Sequence, residues 1–260
     1  MSPDRGRLNY SQNILSLPLA LGDSYCGVVL MASAIIDDPE LRNRSLVFED
    51  RDDAGLHIAQ ALEKFRGKDA LVLAIPSGGV PVGLAISSRL NLPFDLLIIR
   101  KIPVPGNPES GFGAVSLEGD LVLNAPMVRM LGLSQAEIEV LAEPVRKELE
   151  MRNSAFRGPG PWPNMKGRIV IIVDDGLASG YTMMAAIRVV RRRKPSQIVV
   201  AVPTASASTI RMLAQDVDLI VCPNVRSGYS FAVADAYRNW YDLDREDVIG
   251  LLRAHGFLAE

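Results

Sequence analysis

Apolar residues along the chain follow two rhythms, and their alternation predicts the fold class. Short, almost wholly apolar runs, "ALVLAI" (70–75), "FDLLII" (94–99), "RIVIIV" (168–173), 197–202 and 218–222, read as strands buried on both faces. Between them apolar positions recur at helical spacing. "FEDRDDAGLHIAQALEKF" sets Ala54, Ile58, Ala61, Leu62 and Phe65 on one stripe behind an acidic start. Residues 79–90, 134–152, 182–194 and 206–214 read as further helices. In the second of these Ser134 is the expected N-cap and Glu137 completes a capping box, while Pro144 is expected to kink or divide the helix. The Pro/Gly-rich stretch 156–167 is a connector. Fully apolar strands alternating with helices imply an α/β fold, a doubly wound parallel sheet flanked by helices on both faces. The expected organisation is a partly disordered N-terminal extension (1–45), an α/β core (46–222) and a C-terminal addition (223–260).

Composition narrows the setting. With 260 residues, 48% hydrophobic, 22% charged and a formal charge of −2, the chain reads as an ordinary globular protein without a general drive toward nucleic acid or anionic membrane. Cys26 and Cys222 lack CxxC spacing, so neither a disulfide scaffold nor a zinc site is expected, and a reducing, cytoplasmic setting fits. His57 and His255 give little material for a triad or metal cluster and are expected to be packing or surface residues. No apolar run reaches the ~18 to 20 residues of a membrane span. Arg5 and Arg7 precede "ILSLPLAL", but Pro18 and Gly22-Asp23 interrupt that run. The segment is therefore expected to be an extension, or an over-long start ahead of Met31, rather than an export signal.

Ligands of such sheets bind beyond the carboxyl ends of the strands, which directs attention to 76–80, 100–116 and 174–182. "RIVIIVDDGLASGYTM" ends a strand in two carboxylates and passes through a small-residue loop into a helix. Gly176, Leu177, Ala178, Ser179, Gly180, Tyr181 and Thr182 would offer backbone N–H groups, hydroxyls and a helix N-terminus to a phosphate. Asp174 and Asp175 would repel that phosphate and suit hydroxyl groups or, through water, magnesium. A phosphate on one side and a diol on the other describe a ribose 5-phosphate. The basic run Arg188 to Lys194 at a helix end reads as a solvated face. Neither a G-x-x-x-x-G-K-S/T loop nor a G-x-G-x-x-G turn is present, against a P-loop or dinucleotide site.

"IVIIVDDGLASGYTM", with "GGVPVG" and "RK…PGNPE", resembles the type I phosphoribosyltransferases over about residues 46 to 254. The resemblance implies that Asp174 and Asp175 bind the ribose hydroxyls of phosphoribosyl pyrophosphate (PRPP), and that residues 178–182 hold its 5-phosphate. It further implies that Ser77, Gly78 and Gly79 meet pyrophosphate at a cis Pro76–Ser77 peptide, and that Arg100 and Lys101 stabilise the leaving group. Magnesium would accompany PRPP, near Asp174 and Asp175. The loop 100–116 would be a mobile cover or hairpin over the reacting centre, and residues 223–260 a small hood. Base selection is expected from Tyr229, Phe231, Asp235 or Tyr237. Dimers are frequent among such proteins, and no nucleic-acid or membrane partner is expected. Ser77 departs from the arginine often found there, and Ala178 from the loop aspartate of 6-oxopurine enzymes. Those departures leave two functions open: transfer of phosphoribosyl to a nitrogenous base or amine, or PRPP sensing without catalysis.

Overall fold

The computed structural model describes residues 11–13, 34–117, 119, 121–158, 160–228 and 231–258. Cys26, Tyr229 and the signal-like stretch with Met31 lie outside the described residues. In chain order the strands are Ser11–Asn13 (β1), Ala34–Asp37 (β2), Ala70–Ala74 (β3), Phe94–Leu96 (β4), Ile99–Val104 (β5) and Asn107–Ser116 (β6). Leu121–Leu123 (β7), Ile169–Val173 (β8), Gln197–Ala201 (β9), Thr204–Ser206 (β10), Leu219–Val221 (β11) and Asn224–Arg226 (β12) follow. The α-helices are Arg51–Ala61 (α1), Gly79–Leu90 (α2), Ala125–Leu131 (α3) and Gln135–Phe156 (α4), then Tyr181–Arg192 (α5), Ala207–Leu213 (α6) and Arg245–Ala254 (α7).

The central sheet has seven strands in the order β1-β2-β11-β9-β8-β3-β4, parallel except for β1 on β2. Side chains alternate between its faces. Leu71, Leu73, Val170 and Ile172 face Met183, Ile187 and Val190 of α5, whereas Val72, Ile171 and Val199 face Ile58 of α1 and Val82 and Ile86 of α2. Each large aliphatic side chain buried in this way stabilises the fold by roughly 1.5–3 kcal/mol relative to exposure. Two-faced burial is why these strands carry almost no polar residues until they reach the sheet edge.

The structure departs from the sequence reading in two places. Ala34–Asp37, inside the stretch set apart as an extension, is a strand of the central sheet paired with β11. The run 94–99 is not one strand: β4 ends at Leu96, and Ile99 begins a separate three-stranded antiparallel sheet, β5-β6-β7. All of Leu96, Leu97, Ile98 and Ile99 are buried, so their pattern could not show where the chain leaves one sheet for the other. Pro144 sits within α4, which continues past it to Phe156, and the Ser134–Glu137 capping box is formed. The small sheet lies with α4 and α5 packed against it. Among the described residues no helix is long and apolar enough to cross a membrane.

Candidate active site

β8 delivers Asp174 to the carboxyl edge of the sheet, between β3 and β9. The following loop is anchored at one residue and open at the next two. Leu177 is buried, its N–H donates to the Thr204 carbonyl at 2.9 Å, and its own carbonyl accepts from Ser206 N–H at 3.3 Å. Ala178 and Ser179 are exposed. Gly180 turns the chain into α5 at φ +76°, and a side chain there would place its Cβ 2.5 Å from Thr209 Cγ2. Glycine is required twice over, by conformation and by space. The Thr209 hydroxyl also donates to the Ala178 carbonyl at 2.6 Å, fixing the loop from below. The first-turn N–H groups of α5 have no intrahelical acceptor and carry the positive end of the helix dipole.

This loop forms one wall of a cavity of about 340 Å³. Asp174 and every residue from Gly176 to Met183 line it; Lys101, Ser110, Gly111 and Gly113 of the β5–β6 hairpin, Met127 and Val233 complete it. The segment expected as a mobile cover or hairpin is a hairpin, and it forms a wall of the cavity. Strand alternation separates the two cations expected to act together. Lys101 lines the cavity, while Arg100 turns to α4 and pairs with Glu148 at 3.1 Å. Glu148 also accepts from Arg152 at 3.2 Å. Burial, and then the Arg152 charge, lower the pKa of Arg100. Ser77 borders a second hollow of about 270 Å³, with Glu148, Arg152 and Arg245. The Pro76–Ser77 peptide is cis.

The two aspartates diverge. Asp174 lines the cavity and accepts Asp175 N–H at 2.9 Å. Asp175 is not among the lining residues: its Oδ2 takes Arg51 Nε at 2.9 Å and packs against the loop after β3, where a Cβ on Gly78 would lie 1.9 Å from it. Burial and the Asp175 charge push the Asp174 carboxyl well above the usual range. Burial raises Asp175 as well, with Arg51 pulling in the opposite direction. Arg51 lies 3.9 Å from the Trp240 ring centroid and donates to the Tyr241 carbonyl at 3.0 Å. Sequence reading missed Arg51. The available signal was local: a cation at the first residue of a helix, where the dipole disfavours it.

The residues expected to read a base are placed otherwise than around one ring. Tyr237 is buried, and its hydroxyl donates to the Asp175 carbonyl at 2.5 Å. Burial and the Asp175 charge raise its pKa well above normal. Asp235 caps its own turn, accepting Ala232 N–H at 3.3 Å, and Phe231 is half-buried 6.0 Å from the Arg226 guanidinium carbon. Among the described residues of this segment, Val233 reaches the cavity. His57 packs edge-on to Phe48 with ring centroids 5.6 Å apart. Among the described residues no three His, Cys, Asp or Glu side chains are grouped to hold a metal. An acceptor facing the cavity, Asp174, is nevertheless suited to a hydrated divalent ion that arrives on a phosphorylated ligand.

The site is an open β-strand–loop–helix corner with an uncharged loop and an acidic strand tip, at the carboxyl edge of a parallel sheet in an α/β protein. Residues 52–234 match the family model for the phosphoribosyl transferase domain, and the chain belongs to that family. Two strains of Mycobacterium tuberculosis contain a relative named "Putative phosphoribosyl transferase", 38% identical over 215 residues, which cover 82% of this chain. The chain spans about half the length of these relatives, 48%. The crystal structure of TT1426 from Thermus thermophilus is similar, with a TM-score of 0.66 and 36% identity, covering 80% of this chain and 98% of that one. The fold is that of a type I phosphoribosyltransferase.

Proposed function

We propose that the protein transfers the 5-phosphoribosyl group of PRPP to a nitrogenous base or amine and releases pyrophosphate. The observation that carries this reading is the single cavity shared by the Gly176–Thr182 loop, Asp174 and Lys101. The loop takes the 5-phosphate on backbone N–H groups and on the Ser179 and Thr182 hydroxyls. Asp174 accepts from the ribose hydroxyls. Asp175 acts from behind, through the loop it packs against. In the reaction the C1–O bond to pyrophosphate breaks with its electron pair leaving on oxygen. A C1–N bond forms from the acceptor's lone pair, and the acceptor gives up a proton. Lys101 faces the growing negative charge directly, and Arg100 contributes at longer range from the other side of β5. Asp174 would hold, through water, a magnesium ion arriving with PRPP, and the ion would supply charge neutralisation to the leaving pyrophosphate. Ser77, Gly78 and Gly79 provide the second anion-facing corner.

The test is to incubate the protein with PRPP, magnesium and a panel of purine and pyrimidine bases and simple amines, measuring pyrophosphate. Release that depends on one acceptor is expected. A second reading, a PRPP-binding regulator, is favoured by one arrangement: Arg152 at the Ser77 hollow and Arg100 of β5 are both already tied to Glu148. Saturable PRPP binding without release on any acceptor would establish that reading instead.

A further inference from the structure

Arg51 violates two local rules at once. It is the first residue of α1, where Asp52 and Asp53 suit the helix dipole and a cation does not. Its side chain is also only 7% exposed, an environment in which a charge persists only if paired. A residue that breaks local rules is held by something beyond local structure. Here three partners engage the guanidinium: Asp175 Oδ2 at 2.9 Å on Nε, the Tyr241 carbonyl at 3.0 Å on a terminal nitrogen, and the Trp240 ring centroid 3.9 Å from its carbon. The planar group is held at two of its nitrogens and on one face, which a lysine point charge cannot reproduce.

The other end of the contact matters more. The Asp175 carboxylate fills the space that a Gly78 side chain would need, and the Asp175 N–H holds Asp174 Oδ1 at 2.9 Å. Tyr237 fixes the Asp175 carbonyl from the opposite side. Asp175 therefore touches both the acid that lines the cavity and the corner after β3. We propose that Arg51 is a positioning residue: clamped by Trp240 and Tyr241, it orients Asp175 and thereby locks Asp174 and the Pro76–Val80 corner in one arrangement. The C-terminal segment 237–241 serves as the clamp. The effect on ligand binding rests on the PRPP reading above; the locking itself does not.

Two measurements separate these. In the ligand-free protein, amide hydrogen exchange across 76–80 and 174–180 is expected to speed at least tenfold in Arg51→Gln relative to the change within α5 (roughly the loss expected for a broken buried pair). Exchange at both corners that rises no more than in α5 would overturn the inference, whatever the ligand. The second measurement is PRPP affinity by calorimetry. Arg51→Gln is expected to weaken it about tenfold and Arg51→Lys about threefold. Adding Arg51→Gln to Asp175→Asn is expected to cost less than about twofold more. Losses that multiply in the double variant would show Arg51 acting independently of Asp175 and overturn the inference. Absence of PRPP binding by the unmodified protein would count against the PRPP reading and leave the exchange result to decide on the lock. If Arg51→Gln does not fold, Arg51→Lys carries both measurements, with the same direction expected.

Discussion

The corners after β3 and β8 sit side by side on paired strands and look alike in sequence, Pro76-Ser77-Gly78-Gly79 beside Gly176-Leu177-Ala178-Ser179-Gly180. Their small residues answer to different constraints. After β3 the glycines make room for the neighbouring strand's tip: a Cβ on Gly78 would meet Asp175 Oδ2 at 1.9 Å, and one on Gly79 the Val173 carbonyl at 2.7 Å. After β8 the flanking glycines pack as well, a Cβ on Gly176 meeting Val233 Cγ1 at 2.5 Å and one on Gly180 meeting Thr209 Cγ2 at 2.5 Å, but Ala178 and Ser179 between them stand open to the cavity. The glycines of both corners pack, and the second corner alone adds two small residues that stand open. A glycine-rich loop is therefore not by itself a ligand site; the exposed Ala178–Ser179 pair, rather than the packed glycines, distinguishes the two cases.

Substitutions sharpen that contrast. Gly78→Ala drives a methyl into a buried carboxylate and is expected to destabilise the fold by about 3 kcal/mol or more, read from denaturant unfolding. Gly180→Ala meets both positive φ and the Thr209 methyl and is expected to cost about 2 kcal/mol in the same measurement. Ser179→Ala is expected to change stability by less than about 0.5 kcal/mol and to weaken PRPP binding severalfold through one lost hydroxyl contact. If Ser179→Ala destabilised as much as Gly78→Ala, the second corner would be a packing element like the first, and the comparison would fail.

The same contrast explains what could be read in advance. The capping box at Ser134 and Glu137 and the helix beginning at Gly79 were legible because their determinants lie within a few residues. The two-faced strands β3, β8 and β9 were legible because burial on both sides leaves a continuous apolar run. Ala34–Asp37 was not, since its place depends on pairing with Leu219–Val221, far along the chain. The acidic tip and the small loop of the site were legible as chemistry, but the direction of each carboxylate was not. Asp175 is turned by Arg51, 124 residues away in sequence, and adjacent aspartates look equivalent until that partner is seen. Tyr237 illustrates the converse: an aromatic near the C-terminus suggests a stacking surface, yet its ring is buried and its hydroxyl holds the site's backbone.

The central claim is that the corner after β8 is a neutral phosphate cradle beside an acid that takes the sugar. A calorimetric titration of PRPP with magnesium into the unmodified protein and into Ser179→Glu tests it most directly. The exposed position should leave melting unchanged while a carboxylate facing the phosphate weakens binding on the order of a hundredfold or more. Equal PRPP affinity in the two proteins, or no binding by the unmodified one, would contradict the assignment.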